Sequence, residues 1–195
     1  MLKVEVLEQY LPIWNTDKRH LILKSGRGAG KSWAVAQYVI IKALERKTRI
    51  LCTREIQRTI RDSVYKLLTD TIERYELEKY FEVQRDKIIS ASGSEIIFTG
   101  LWQHINEIKS MEGIGICWVE EAQAISIQSL EVLIPTIRAI ESKILYTYNP
   151  FSENDAVLKK LIQSNRLDVM VIETSYLQNP FLSKELLQEA EYDKQ

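Results

Sequence analysis

Ser25-Gly26-Arg27-Gly28-Ala29-Gly30-Lys31-Ser32 is a glycine-rich octet between a short apolar run and a helical pattern. Phosphate-binding loops follow the pattern G-x-x-x-x-G-K-[ST]. Here the last three positions match, while Ser25 stands at the place of the first glycine, with Gly26 and Gly28 close behind. Glycines let successive backbone N–H groups curl around phosphate oxygens, and the N-terminus of the following helix adds partial positive charge. In this arrangement Gly26, Arg27, Gly28, Ala29, Gly30, Lys31 and Ser32 cradle a triphosphate. Lys31 reaches the β- and γ-phosphates, and the Ser32 hydroxyl ligates Mg²⁺. Arg27 either lies against the γ-phosphate or points to solvent.

Downstream, Ile116-Cys117-Trp118-Val119 is an apolar run that ends in Glu120-Glu121. Two acids at the tip of a buried strand cost desolvation unless a cation sits near them. A Mg²⁺ held by Ser32 would be that cation, with Glu120 serving it through water. Glu121, expected to point the other way, is then the candidate catalytic base that orients the attacking water. A helix N-terminus, where acids favour the dipole, is the plainer alternative for the pair. Lys143–Pro150 (KILYTYNP) is a third strand with a polar tip. Thr147 and Asn149 stand where a sensor of the γ-phosphate would stand, and Asn149-Pro150 is also an ordinary turn signal.

These tips need a scaffold, and the rest of the chain supplies one. Apolar runs predict strands at 20–24, 49–53, 81–84, 87–91, 95–99, 115–119, 143–147 and 169–174. Helical spacing predicts helices at 32–44, 55–75, 127–138, 153–164 and 183–192, the last capped by Ser183. Alternating strands and helices argue for an α/β fold with a parallel sheet covered on both faces, and 81–99 for a small antiparallel edge. No linker or repeat divides the chain, so 1–195 reads as a single domain.

Composition narrows the class. The 195 residues are 45% hydrophobic and 27% charged with a net charge of −1, which is globular and gives net charge no say about nucleic acid. Cys52 and Cys117 sit in apolar runs and read as buried thiols in a reducing compartment. No apolar run is long enough for a spanning helix, and the N-terminal stretch is not a signal peptide. His20 and His104 lack metal-ligand spacing. Tyr10 and Trp14 either stack on adenine or cover the sheet edge, and packing is the commoner use of such rings.

Taken in order, SGRGAGKS, CWVEEA and YTYNP resemble the ATPase domain of the large terminase subunit of tailed bacteriophages. RILCTREIQRTIRDS, KSMEG and TSYLQNP extend the likeness over nearly the whole chain. The resemblance implies a P-loop NTPase of the ASCE type, with ATP and Mg²⁺ as cofactors. It assigns Gly26–Ser32 to the triphosphate, Glu120 to the metal, Glu121 to catalysis and Thr147–Asn149 to coupling. It implies double-stranded DNA, held by its phosphates, as cargo. The portal protein, the small terminase subunit and further copies in a ring would be partners, in the host cytoplasm and away from membrane. The family carries a C-terminal nuclease domain, which the sequence does not include, so no cutting is expected here. A helicase-like P-loop motor and a docking fragment nearly inactive alone are the rival readings.

Two basic groups remain. Arg54, Arg58 and Arg61, at spacings of four and three, would share one helical face away from the apolar stripe and contact DNA or a neighbouring subunit. An exposed polar face explains them as well. Lys109 and Arg138 are candidates for a basic finger acting in a neighbour's site.

Overall fold

The computed structural model describes residues 4–56 and 60–192. Its strands are β1 His20–Lys24, β2 Arg49–Arg54, β3 Phe81–Val83, β4 Lys87–Ser90, β5 Glu95–Gly100, β6 Ile114–Val119, β7 Lys143–Tyr148 and β8 Val169–Glu173. They form one sheet in the order β3-β4-β5-β2-β6-β7-β1-β8. From β5 to β8 every neighbouring pair is parallel. β4 pairs antiparallel with both β3 and β5, so it alone runs against the rest. The expected parallel sheet with an antiparallel edge is therefore present.

Strand periodicity sorts the core onto two faces. Leu21, Leu23, Ile50, Cys52, Ile116, Trp118 and Leu145 join α1 (Lys31–Glu45) and α2 (Lys66–Arg74) in one buried cluster. Ile22, Leu51, Cys117, Val119, Ile144 and Tyr146 join α3 (Leu101–Lys109) and α4 (Ile127–Thr136) in the other. Cys52 and Cys117 are buried and free, each facing its own cluster, and burial pushes both thiols up. The last helix, α5 (Lys184–Tyr192), starts after Ser183, whose hydroxyl accepts the Leu186 N–H at 3.2 Å. Because the central strands are parallel, their carboxyl ends share one edge of the sheet, and all three motifs sit on that edge.

Three boundaries differ from the sequence reading. Of the helix expected over 55–75, Glu55 and Ile56 are not helical, 57–59 lie outside the described residues, and the chain is helical from Ile60, with a π turn over Arg61–Tyr65 and then α2. Arg54 belongs instead to β2, which pairs with β5 out to Gly100. Sheet pairing on both sides of β2 wins over the helical stripe, and Ile56, expected on that stripe, is exposed. Over 101–109 a helix forms that the apolar pattern missed, because Trp102 is exposed and the run has a break at His104. The helix expected over 153–164 begins only at Ala156. Before it, the Asp155 carboxylate accepts the Tyr148 hydroxyl at 2.8 Å and the Phe151 and Ser152 N–H groups at 3.1 and 3.2 Å, which fixes a turn.

His20, at the other end of β1, is fully buried. Arg166 Nη2 donates toward its Nε2 at 3.2 Å, so the ring proton sits on Nδ1 and faces the Tyr146 hydroxyl at 3.0 Å. Burial, with Arg166 beside it, lowers its pKa from 6.5 to about 4. Between those values the unfolded chain binds a proton that the folded chain refuses. The stability this holds, on the order of 3 kcal/mol, is complete above about pH 6.5 and is lost as pH falls toward 4. The urea midpoint should therefore drop between pH 7 and 4.5, and His20→Gln should flatten that drop. An equally steep drop in the variant would remove His20 as its source.

Candidate functional site

β1 hands the chain to the phosphate-loop octet, with Ser25 N–H bonded to the Tyr148 carbonyl at 3.2 Å. Gly28 and Gly30 adopt φ of 78° and 84°, the left-handed region that glycine enters without penalty. Space is short there as well. A Cβ on Gly28 would stand 2.7 Å from Leu182 Cδ1, and one on Gly30 would stand 2.8 Å from Leu7 Cδ1. α1 opens directly on Lys31.

The Lys31 ammonium is buried and surrounded by oxygen. It donates to Ser25 Oγ at 2.6 Å, Asn149 Oδ1 at 2.7 Å, the Gly26 carbonyl at 2.8 Å and the Ser25 carbonyl at 3.1 Å. Burial lowers its pKa from 10.5 to about 8, against the opposing pull of Glu120. Phosphate oxygens, being charged, would be stronger acceptors than these neutral ones. Lys31 thus joins the loop to the tip of β7. Asn149 is tied in turn to the acidic segment, since its N–H is accepted by Gln123 Oε1 at 3.2 Å. Gln123 was invisible as a site residue in the sequence, where it is one more polar residue after the acids. Thr147 is almost wholly buried, and its hydroxyl accepts the Trp118 indole N–H at 3.3 Å.

Glu120 and Glu121 follow the end of β6. Glu120 N–H bonds the Thr53 carbonyl at 2.8 Å, which carries the sheet pairing one residue further. Glu121 then takes φ of 49°. That left-handed step ends the strand alternation and corrects the expectation that the two carboxylates face opposite ways. Both face Arg54. Arg54 Nε lies 3.0 Å from Glu120 Oε2, and its Nη2 pairs with Glu121. Burial raises the Glu120 pKa, and Arg54 and then Lys31 oppose the rise.

Arg54 is therefore removed from the set expected to touch DNA. It is buried at a strand tip beside two acids, and its Nη1 also lies 3.2 Å from Ser63 Oγ. Arg58 lies outside the described residues, as does the side chain of Arg61. The sequence signal for Arg54 was its place, the last residue of the strand next to the acidic one.

A pocket of about 490 Å³ gathers these groups. Arg27–Ser32, Glu120, Glu121, Thr147 and Asn149 line it, together with Trp33, Asn179, Phe181 and Leu182. Arg27 is exposed at its rim. The segment 176–186, which follows β8, spans the end of the TSYLQNP motif and the start of the helix expected over 183–192, neither of which was expected at the site. It packs on the loop, with Asn179 Nδ2 donating to the Gly28 carbonyl at 2.7 Å. Lys109 and Arg138 do not line this pocket. Arg138 is exposed and pairs with Glu112 at 2.9 Å, at a larger cleft at the opposite end of the strands. That cleft is rich in cations already engaged. Arg19, for example, donates to the carbonyls of Ile134 and Ile137. Tyr10 and Trp14 both pack rather than opening to the pocket. Tyr10 is fully buried, and Trp14 meets Tyr38 edge-on at 5.0 Å.

Among the described residues no three His, Cys, Asp or Glu side chains form a metal cluster. The pocket nonetheless offers oxygen donors of the kind Mg²⁺ takes alongside phosphate and water, the Ser32 hydroxyl and the Glu120 carboxylate.

Comparison with known proteins places the fold and its lineage. A family model described as phage terminase large subunit matches residues 17–195. The large terminase subunit of Bacillus phage SPP1 is 29% identical over 215 residues, covering 98% of this chain and 51% of that protein. The chain thus spans about half the length of that relative. A large terminase from a thermophilic bacteriophage, solved in complex with ADP, superposes with a TM-score of 0.75 at 13% identity, covering 96% of this chain and 50% of that one. The ATPase domain of the Thermus phage P74-26 large terminase superposes with a TM-score of 0.70 at 14% identity, covering 97% and 85%.

Proposed function

The chain belongs to the phage terminase large subunit family, and from that premise we propose that it is the ATP-hydrolysing motor part of a DNA-packaging machine, driving double-stranded viral DNA into the procapsid. The observation that carries this reading is Lys31. One buried ammonium, on the first residue of α1, joins the phosphate loop to Asn149 and feels Glu120. Loop, acidic pair and sensor thus meet around the place where a terminal phosphate would sit.

Each residue then has a task. Backbone N–H groups of Gly26–Ser32 hold the phosphate chain, and Lys31 neutralises its charge. Glu121 accepts hydrogen bonds from the attacking water and orients it. Arg54 holds both carboxylates in place and opposes the rise that burial gives the Glu120 pKa. Asn149, released from Lys31 when phosphate takes the ammonium, reports occupancy through Gln123 to the acidic segment. Mg²⁺, held by Ser32 and Glu120, would neutralise charge developing on the phosphates. Arg27, at the rim, is free to meet the γ-phosphate.

The motor acts in the host cytoplasm as a ring on the portal, with the small terminase subunit, and holds DNA by its phosphates so that any sequence can pass. Neither Lys109 nor Arg138 lines the chain's own pocket, so either would serve catalysis only in a neighbouring copy. The test is ATP turnover by this chain, with Mg²⁺ or with a chelator, across protein concentration. Turnover should need Mg²⁺ and should rise faster than linearly as copies assemble. ATP that does not bind at millimolar concentration would overturn the reading.

A further inference from the structure

A loop grips phosphate only if its peptides are turned the right way. The peptide unit is planar and trans, so the carbonyl of one residue and the N–H of the next point in opposite directions. For the N–H groups to converge on an anion, the carbonyls must point outward and find partners there. In a glycine-rich stretch little in the loop itself enforces this, because glycine tolerates either orientation.

Two side chains far away in sequence supply those partners. Asn179 Nδ2 donates to the Gly28 carbonyl at 2.7 Å, across 151 residues. The Tyr10 hydroxyl donates to the Ala29 carbonyl at 2.9 Å, across 19 residues. The first bond turns the Ala29 N–H away from Asn179. The second turns the Gly30 N–H away from Tyr10.

Both donors are themselves fixed. Asn179 Oδ1 accepts the Phe181 N–H at 3.0 Å, which sets the amide so that nitrogen faces the loop. A phenol has one proton, and a carbonyl can only accept. The Tyr10 proton therefore goes to Ala29, and the Thr174 hydroxyl, 2.9 Å away, donates to Tyr10. Burial raises the Tyr10 pKa and keeps that proton in place. The segments that carry these donors also press on the two left-handed glycines, Leu182 on Gly28 and Leu7 on Gly30.

We propose that Tyr10 and Asn179 are positioning residues of the phosphate loop, which pin its Gly28 and Ala29 carbonyls outward and so hold consecutive N–H groups ready for phosphate. The inference rests on the nucleotide-site reading above. It also gives the segment after β8 and the turn before β1 a shared task, which neither the loop pattern nor the family match assigns.

The test uses the full chain and two ligands, ATP and inorganic tripolyphosphate, titrated by calorimetry into wild type, Tyr10→Phe and Asn179→Ala. Tripolyphosphate offers phosphate alone, so it reads the loop and not the nucleoside side of the pocket. Each variant should weaken both ligands by the same factor, about 5- to 10-fold for one lost hydrogen bond, with a melting temperature close to wild type. Tyr10→Phe keeps the ring and its packing, which separates the lost hydroxyl from a general loss of fold. Wild-type affinity in both variants would overturn the proposal. So would a loss for ATP that tripolyphosphate does not share. A wild-type chain that binds neither ligand would instead sink the nucleotide-site reading itself.

Discussion

Glu121→Gln is expected to bind ATP within a few-fold of wild type and to hydrolyse it at least about 100-fold more slowly, the usual scale for losing a general base. The geometry separates the two effects. Lys31 and the loop lie on β1 and α1, whereas Glu121 lies beyond β6, with β7 between them. The substitution keeps the shape of the side chain and its partner Arg54, so the loop should be undisturbed. What it removes is the charge that draws a proton from water. The measurement is a pair of numbers on one preparation, the dissociation constant for ATP and the single-turnover rate with Mg²⁺. Retained turnover would strip Glu121 of the role and pass it to Glu120. Equal loss of binding would mean that the acid shapes the pocket rather than the reaction.

The exposure of Glu121 fits that role. Its side chain is 48% exposed, while that of Glu120 is 13% exposed. A carboxylate that must meet water benefits from the open position. One that serves a cation beside Lys31 can stay buried. The left-handed turn at Glu121 produces this difference, and no residue pattern announces it, because glutamate is an uncommon occupant of that conformation.

Much of the framework could be read from the residues themselves. Leu21 to Leu23, Ile50 to Cys52 and Ile144 to Tyr146 alternate between two buried clusters, and runs buried on both faces are what a covered parallel sheet requires. The glycine loop and the two polar tips were legible because each combines a residue type with a strand-to-loop position. The roles of Arg54, Gln123, Asn179 and Tyr10 were not. Their work depends on strand order, which brings β2 beside β6 and sets β8 beside β1. No local pattern encodes those neighbours. Arg54 shows the point sharply. Its spacing to Arg58 and Arg61 fits a helix, yet pairing of β2 with β5 and β6 takes it into the sheet and sets it against two acids.

Lys31→Ala is expected to weaken ATP by at least about 100-fold, since it removes a buried charge-assisted contact to the phosphates. The same change should not destabilise the chain without nucleotide. Burial holds the Lys31 pKa near 8, below its ordinary 10.5. For a base with a lowered folded pKa the cost is complete below about pH 8 and fades as pH rises toward 10.5, because the unfolded chain keeps its proton through that window. The four hydrogen bonds to Ser25, Gly26 and Asn149 offset part of that cost. At neutral pH the alanine variant should therefore melt at or slightly above the wild-type temperature. Saturating ATP should raise the wild-type melting temperature and leave the variant where it was. Lys31→Arg should not restore binding, because a planar fork does not fit a cradle built for a compact ammonium. A variant that melts far below wild type would make Lys31 a structural residue. One that melts normally and still binds ATP would place the phosphates elsewhere in the pocket. The expected pair, lost affinity with kept stability, is the signature of a charge held at a cost to the fold because the reaction needs it.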